Sequence, residues 1–137
     1  MHWRLVLDPI LAERTLDVIR GFGVNISLDD FGTGYASIGF LRMFRFEKLK
    51  LDRSLVVDAG DDEGSRAMMV SSISVARALN MAVTAEGVET QQQADLVRTA
   101  GCDQIQGWLY FKALPPEEIT LHLNQQNFQN SDLKLIG

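Results

Sequence analysis

The sequence predicts an α/β domain of about four parallel strands alternating with helices, and three observations predict it. Short segments in which apolar and polar residues alternate recur at Val24–Leu28, Phe46–Asp52, Met81–Ala85 and Gln104–Leu109. Helical patterning lies between them, and no hairpin signal joins any two. The polar rows end in acids or an amide, at Asp29-Asp30, Asp52, Glu86 and Gln106, so in a parallel sheet these tips gather at one end. Four such units are half of what closes a barrel, and an open sheet fits the same periodicity.

The first helix is marked by Asp8-Pro9, an N-cap residue followed by proline at the first helical position, and runs to about Arg20 before Gly21 and Gly23. Leu11, Leu16 and Ile19 form its apolar stripe. In the first strand Val24, Ile26 and Leu28 face one way and Asn25, Ser27 and Asp29 the other, because side chains alternate across a strand. Gly32 and Gly34 allow a tight turn or the close approach of a ligand. A short helix over 36–44 leads to the second strand, where Leu49 and Leu51 oppose Lys48, Lys50 and Asp52.

Residues 58–64 read as an acidic, glycine-bounded loop, and 65–79 as a helix turning Met68, Met69, Ile73, Ala76 and Leu79 toward the sheet, with Asn80 closing it. The third strand ends in Glu86-Gly87-Val88-Glu89. Thr90 with Gln93 three residues on is a capping-box pattern, and Gly101 stops that helix. In the fourth strand Gly107 leaves room for a close neighbour. Pro115-Pro116-Glu117 opens a last helix to about Leu123, which divides the chain into a folded unit over 1–123 and a polar tail over 124–137.

At 137 residues, with 46% hydrophobic and 23% charged residues, the composition is that of one soluble globular domain. Its apolar runs are too short to span a membrane, and no secretory signal opens it. The single cysteine, Cys102, makes no internal disulfide or cysteine metal site, and a reducing cytoplasm is the expectation. A net charge of -5 argues against a nucleic-acid polymer as partner, which would call for clustered Lys and Arg, and is compatible with a metal held by carboxylates.

Four segments, taken together, resemble a known family. Leu28-Asp29-Asp30-Phe31-Gly32-Thr33-Gly34-Tyr35 resembles the Asp-Asp-Phe-Gly-Thr-Gly loop of the EAL-domain cyclic di-GMP phosphodiesterases, and Lys48-Leu49-Lys50-Leu51-Asp52-Arg53-Ser54 is similar to their Lys-Ile-Asp-Arg-Ser segment. Ala85-Glu86-Gly87-Val88-Glu89-Thr90 and Gln106-Gly107-Trp108 match the family's next two motifs in order. The resemblance implies the C-terminal half of a TIM-like (β/α) barrel. It also implies two divalent ions, Mg or Mn, and hydrolysis of cyclic di-GMP to the linear dinucleotide.

By the same resemblance Asp29 and Asp30 are metal ligands, Lys50 holds the attacking water or a phosphate oxygen, Glu86 acts as base or ligand, and Gln106 supports Glu86. The family's Glu-Ala-Leu motif and two further ligands have no counterpart among these residues. The expectation is therefore an EAL domain lacking its N-terminal half and inactive alone. The alternative is a degenerate EAL module that binds nucleotide or protein. Open barrel edges lead us to expect a homo-oligomer.

Plainer roles stand beside these. Lys50 can simply neutralise Asp29 or Asp52, Asp52 and Glu89 read as structural acids, and His2 and His122 sit at the ends without partners. Cys102 reads as a small buried residue, and Met68, Met69 and Met81 as core filling.

Overall fold

The structure is a computed structural model and describes residues 8–32, 37–110, 112–121 and 123–125. The Asp8 carboxylate accepts the Leu11 N–H at 3.0 Å and opens α1 (Pro9–Gly21). There follow β1 (Ser27–Phe31), α2 (Ile38–Phe44), β2 (Lys48–Leu51), α3 (Arg53–Asp61), α4 (Glu63–Ala78), β3 (Ala82–Ala85), α5 (Gln91–Ala100) and β4 (Gln104–Ile105). The four strands are neighbours in chain order and all pair in parallel, so their C-terminal tips share one edge of the sheet. This is the expected strand-helix alternation, in a partial α/β barrel.

Register sorts the strand residues onto two faces. Leu49, Leu51, Val83 and Ala85 are fully buried beneath Leu55 and Val56 of α3, Met69 and Ile73 of α4, and Ala94 and Val97 of α5. Each of the buried Leu, Val, Ile and Met side chains contributes about 1.5–3 kcal/mol of burial. On the other face Lys48 and Thr84 both donate to the Gln104 side-chain oxygen, each at 3.1 Å, which knits β2, β3 and β4 through their polar row. At the opposite edge Arg20 of α1 donates to Glu47 at 3.0 Å, and Glu47 in turn accepts the Ile26 N–H at 2.7 Å. Burial works to raise the Glu47 carboxyl, but the Ile26 N–H and the Arg20 guanidinium outweigh it and hold it below the usual range.

Several expectations need correction. The loop expected over 58–64 is helical except at Asp62, because Leu55, Val56 and Ala59 form a buried stripe that carries α3 through Asp58 and Gly60. Asp62 alone breaks the helix, and its carboxylate caps α4 through the Ser65 N–H at 2.6 Å. The first strand lies at Ser27–Phe31, later than expected, since pairing with β2 starts only where the Glu47 and Lys48 N–H groups meet the Ile26 carbonyl. The fourth strand is only Gln104–Ile105, and the chain turns away from Gly107 onward.

On α4 the buried positions are Met69, Ile73 and Ala76, leaving Met68 60% exposed one helical step off the stripe. On α1 the buried pair is Ala12 and Leu16, while Leu11 and Ile19 face outward. Phe46, which by alternation shares a row with Lys48 and Lys50, is buried against Phe40 and Phe44 at centroid distances of 5.8 and 6.3 Å. Cys102 is half-buried, and burial pushes its thiol up to about 11. The capping box of Thr90 and Gln93 and the left-handed Gly101 are as expected. His2, His122, residues 33–36 and most of the expected polar tail lie outside the described residues.

Candidate active site

The ladder between β1 and β2 slips at one point, and the slip builds the site. Leu28 stands opposite Leu49 and Phe31 opposite Leu51, so Asp29 and Asp30 together oppose the single residue Lys50. This is a β-bulge, which bends the strand and re-aims side chains. Asp30 takes a left-handed backbone, φ 54°, which aspartate tolerates better than most residues, and its N–H is accepted by Asp29 Oδ1 at 2.9 Å. Strict alternation would send the two acids to opposite faces. The bulge instead brings an oxygen of Asp29, one of Asp30 and one of Glu86 within 4.8 Å of one another.

Lys50 reaches across this group. Its ammonium pairs with Glu86 Oε1 and with Asp29 Oδ2 at 3.5 Å. The hydrogen bond to Glu86 raises the Lys50 pKa above the usual lysine value; burial opposes this and the Glu86 and Asp29 charges add to it. Lys50 is thus a cation held by two of the three carboxylates, Glu86 and Asp29. It pairs with Asp29, one of the two partners its plain role named. The other, Asp52, caps α3 through the Ser54 N–H at 2.8 Å, and the Ser54 hydroxyl holds its carboxyl below the ordinary range.

Glu86 is placed by main-chain contacts on both sides. Its N–H donates to the Leu51 carbonyl at 3.2 Å, and the Gln106 N–H donates to the Ala85 carbonyl at 2.9 Å. The Val88 N–H then returns to the Gln106 carbonyl at 3.1 Å, so Gln106 supports the Glu86 turn through its backbone. Beside this turn lies an open cavity of about 840 Å³, lined by Glu86, Gln106, Arg53, Trp108 and Lys112 among others. Trp108 is 66% exposed, with the Lys112 ammonium 5.8 Å from its ring centroid. Lys112 carries no motif signal, and only the fold brings it here.

Among the described residues the donor set is three carboxylates, exposed or half-buried, converging without nitrogen or sulfur ligands. Such hard oxygen donors fit Mg, Mn or Ca, and they do not select a softer metal. The residues therefore fit a divalent cation, provided Lys50 yields part of its hold.

The sequence profile of the EAL domain matches residues 9–113. The chain belongs to the EAL domain family. Among curated EAL relatives, the bifunctional diguanylate cyclase/cyclic di-GMP phosphodiesterase MucR of Pseudomonas aeruginosa is 36% identical over 104 residues, which are 76% of this chain and 15% of MucR. The cyclic di-GMP phosphodiesterase NbdA of the same organism is 40% identical over 100 residues, covering 73% of this chain and 13% of NbdA. The chain thus spans a small part of the length of these relatives.

Solved EAL structures agree in fold. The PaMucR phosphodiesterase in complex with c-di-GMP superimposes with a TM-score of 0.77 at 33% identity, over 84% of this chain and 47% of that one. The Klebsiella pneumoniae BlrP1 manganese/cy-diGMP complex gives 0.71 at 30% identity, over 77% and 27%.

Proposed function

We propose that this EAL chain carries the C-terminal half of a metal-dependent site that hydrolyses cyclic di-GMP to the linear dinucleotide, and that the 137 residues by themselves do not complete the reaction. The observation that carries the reading is the convergence of Asp29, Asp30 and Glu86 at the strand tips, with Lys50 paired to Asp29 and Glu86. The likeness to MucR and to the BlrP1 manganese complex supports the same ligand and metal class. In this reading Asp29 and Asp30 hold the divalent ions, Mg or Mn. Bound there, such ions supply an acidified water and neutralise charge at the attacked phosphate.

The chain's own residues do the rest. Glu86 takes up the proton of the attacking water or adds a carboxylate oxygen to the ion site, and Lys50 donates to that water or to a phosphate oxygen. Gln106 keeps the Glu86 turn in place through the main-chain bonds described above. Three carboxylates are too few to fix two cations that each take six or more oxygens, hence the inactivity proposed for the chain alone. We assign the EAL portion to residues 1–123 and a polar tail to 124–137. The lone cysteine supports a cytoplasmic location, and no described helix is long and apolar enough to cross a membrane.

Among the described residues β1 and β4 each pair on one side only, so each leaves a row of backbone groups for another chain. The chain should accordingly run as a homodimer or larger oligomer. Light scattering that shows a strict monomer from micromolar to millimolar concentration would refute this.

The test of function is turnover of cyclic di-GMP by the chain with Mg or Mn. No appreciable hydrolysis is expected, and robust turnover abolished by Asp29→Ala would overturn the inactivity. The hold of Lys50 on two of the three carboxylates favours a second reading, a module that binds without cleaving. Its signature is a saturable thermal shift with cyclic di-GMP, lost in Asp30→Ala or Glu86→Ala and unaccompanied by turnover.

A further inference from the structure

We propose that Arg53 is a positioning residue for Glu86, holding the turn that carries it by lying against Gly87 and pairing with Glu89. Arg53 is the first residue of α3, three positions after Lys50, on a helix anchored in the core by Leu55, Val56 and Ala59. Its stem crosses the gap between the β2 and β3 tips. A Cβ built on Gly87, which has φ +67°, would lie 2.3 Å from Arg53 Cγ, so the aliphatic stem rests directly on the Gly87 main chain. The guanidinium then closes on Glu89, with Nε at 3.1 Å and Nη2 at 2.8 Å from Oε1.

Other bonds hold the far part of the same turn. The Glu89 N–H donates to Gln93 in the capping box of α5 at 2.8 Å. Buried Val88 donates to the Gln106 carbonyl and accepts the Leu109 N–H, both at 3.1 Å. These contacts secure Val88 and Glu89, and the Glu86 N–H bond to the Leu51 carbonyl secures the start of the turn, so the contact with Arg53 bears on Gly87 between them. Through that contact α3, which follows directly on the strand bearing Lys50, helps set where the turn carrying Glu86 stands.

A surface ion pair is the plain alternative, since the Arg53 side chain is 61% exposed. Such pairs add little to stability. A positioning role therefore predicts a particular signature: near-unchanged melting together with a displaced Glu86.

The inference rests on the reading of Glu86 as a site residue, and the experiment separates the two. Mn2+ alone is titrated into the full chain and followed by paramagnetic broadening of the Asp30 and Gly87 amide signals, for wild type, Arg53→Met, Arg53→Lys and Glu89→Gln. Loss of a contact that orients a ligand typically weakens metal affinity by about tenfold or more, and that shift is expected for Arg53→Met and Glu89→Gln, with Arg53→Lys recovering much of it. Melting temperatures should stay within about 2 °C of wild type.

Equal Mn2+ responses in all four proteins would overturn the proposal, as would a loss that tracks melting temperature or a Lys variant no better than Met. If wild type shows no Mn2+ broadening, the metal reading fails, and hydrogen exchange at the Glu86 N–H, which donates to the Leu51 carbonyl, decides the positioning role. Exchange about tenfold faster in Arg53→Met and Glu89→Gln supports it, and unchanged exchange overturns it.

Discussion

Gly107→Ala is expected to destabilise the chain by about 3 kcal/mol or more, near the upper end for an overpacked site. The added Cβ would stand 2.0 Å from the Val88 carbonyl oxygen and 2.4 Å from its nitrogen, and both belong to the main chain rather than to a side chain that could swing aside. Val88 is fully buried and holds the turn after Glu86, so relief of the clash means moving that turn or opening the β3-β4 pairing. Urea unfolding measures the loss. Gly21→Ala serves as the control, because nothing lies within 4 Å of its Cβ position and its effect should stay within about 0.5 kcal/mol. Equal stabilities for the two variants would refute the account of Gly107 as a position where the main chain of Val88 leaves no room for a side chain.

Lys50→Met is expected to raise the affinity of the site for Mn2+ by roughly ten- to a hundredfold. In the wild type a divalent cation competes with an ammonium already paired to Glu86 and Asp29. A pair of unit charges 4 Å apart is worth between about 1 kcal/mol in water and about 4 kcal/mol near a protein surface. Each 1.4 kcal/mol is tenfold in binding, and the exposure of Asp29 and Asp30 keeps the expected gain in the lower part of that range. Removing the ammonium also leaves three carboxylates facing one another, so stability without metal should fall at neutral pH and recover on adding Mn2+. Isothermal titration with Mn2+ checks the affinity; a value equal to or below that of wild type would mean that Lys50 does not compete with the cation.

Much of the site was legible because its parts are strand tips. Alternation over Lys48–Leu51 and Ala82–Ala85 marks which face is polar, and parallel pairing of consecutive strands sends Lys50, Glu86 and Gln106 to one edge. Caps were equally local. Asp8, Thr90 with Gln93, and Gly101 act within one helical turn, so residue type and spacing are enough to place them. The acidic stretch over 58–64 misled for the converse reason: its helix is imposed by burial of Leu55, Val56 and Ala59, a contact with the rest of the core that local composition does not report.

The strand-helix order, the motifs that identify an EAL chain and the residue types at each tip can all be read along the chain. How those types meet is set by the packing of elements distant in the chain. Asp29 and Asp30 are adjacent and by periodicity face opposite ways; they share a site because β2 offers one residue where β1 offers two, and a bulge is a property of the pair of strands rather than of either one. The same holds for Arg53 and Glu89, 36 positions apart, whose contact exists only because α3 and the turn after β3 pack side by side.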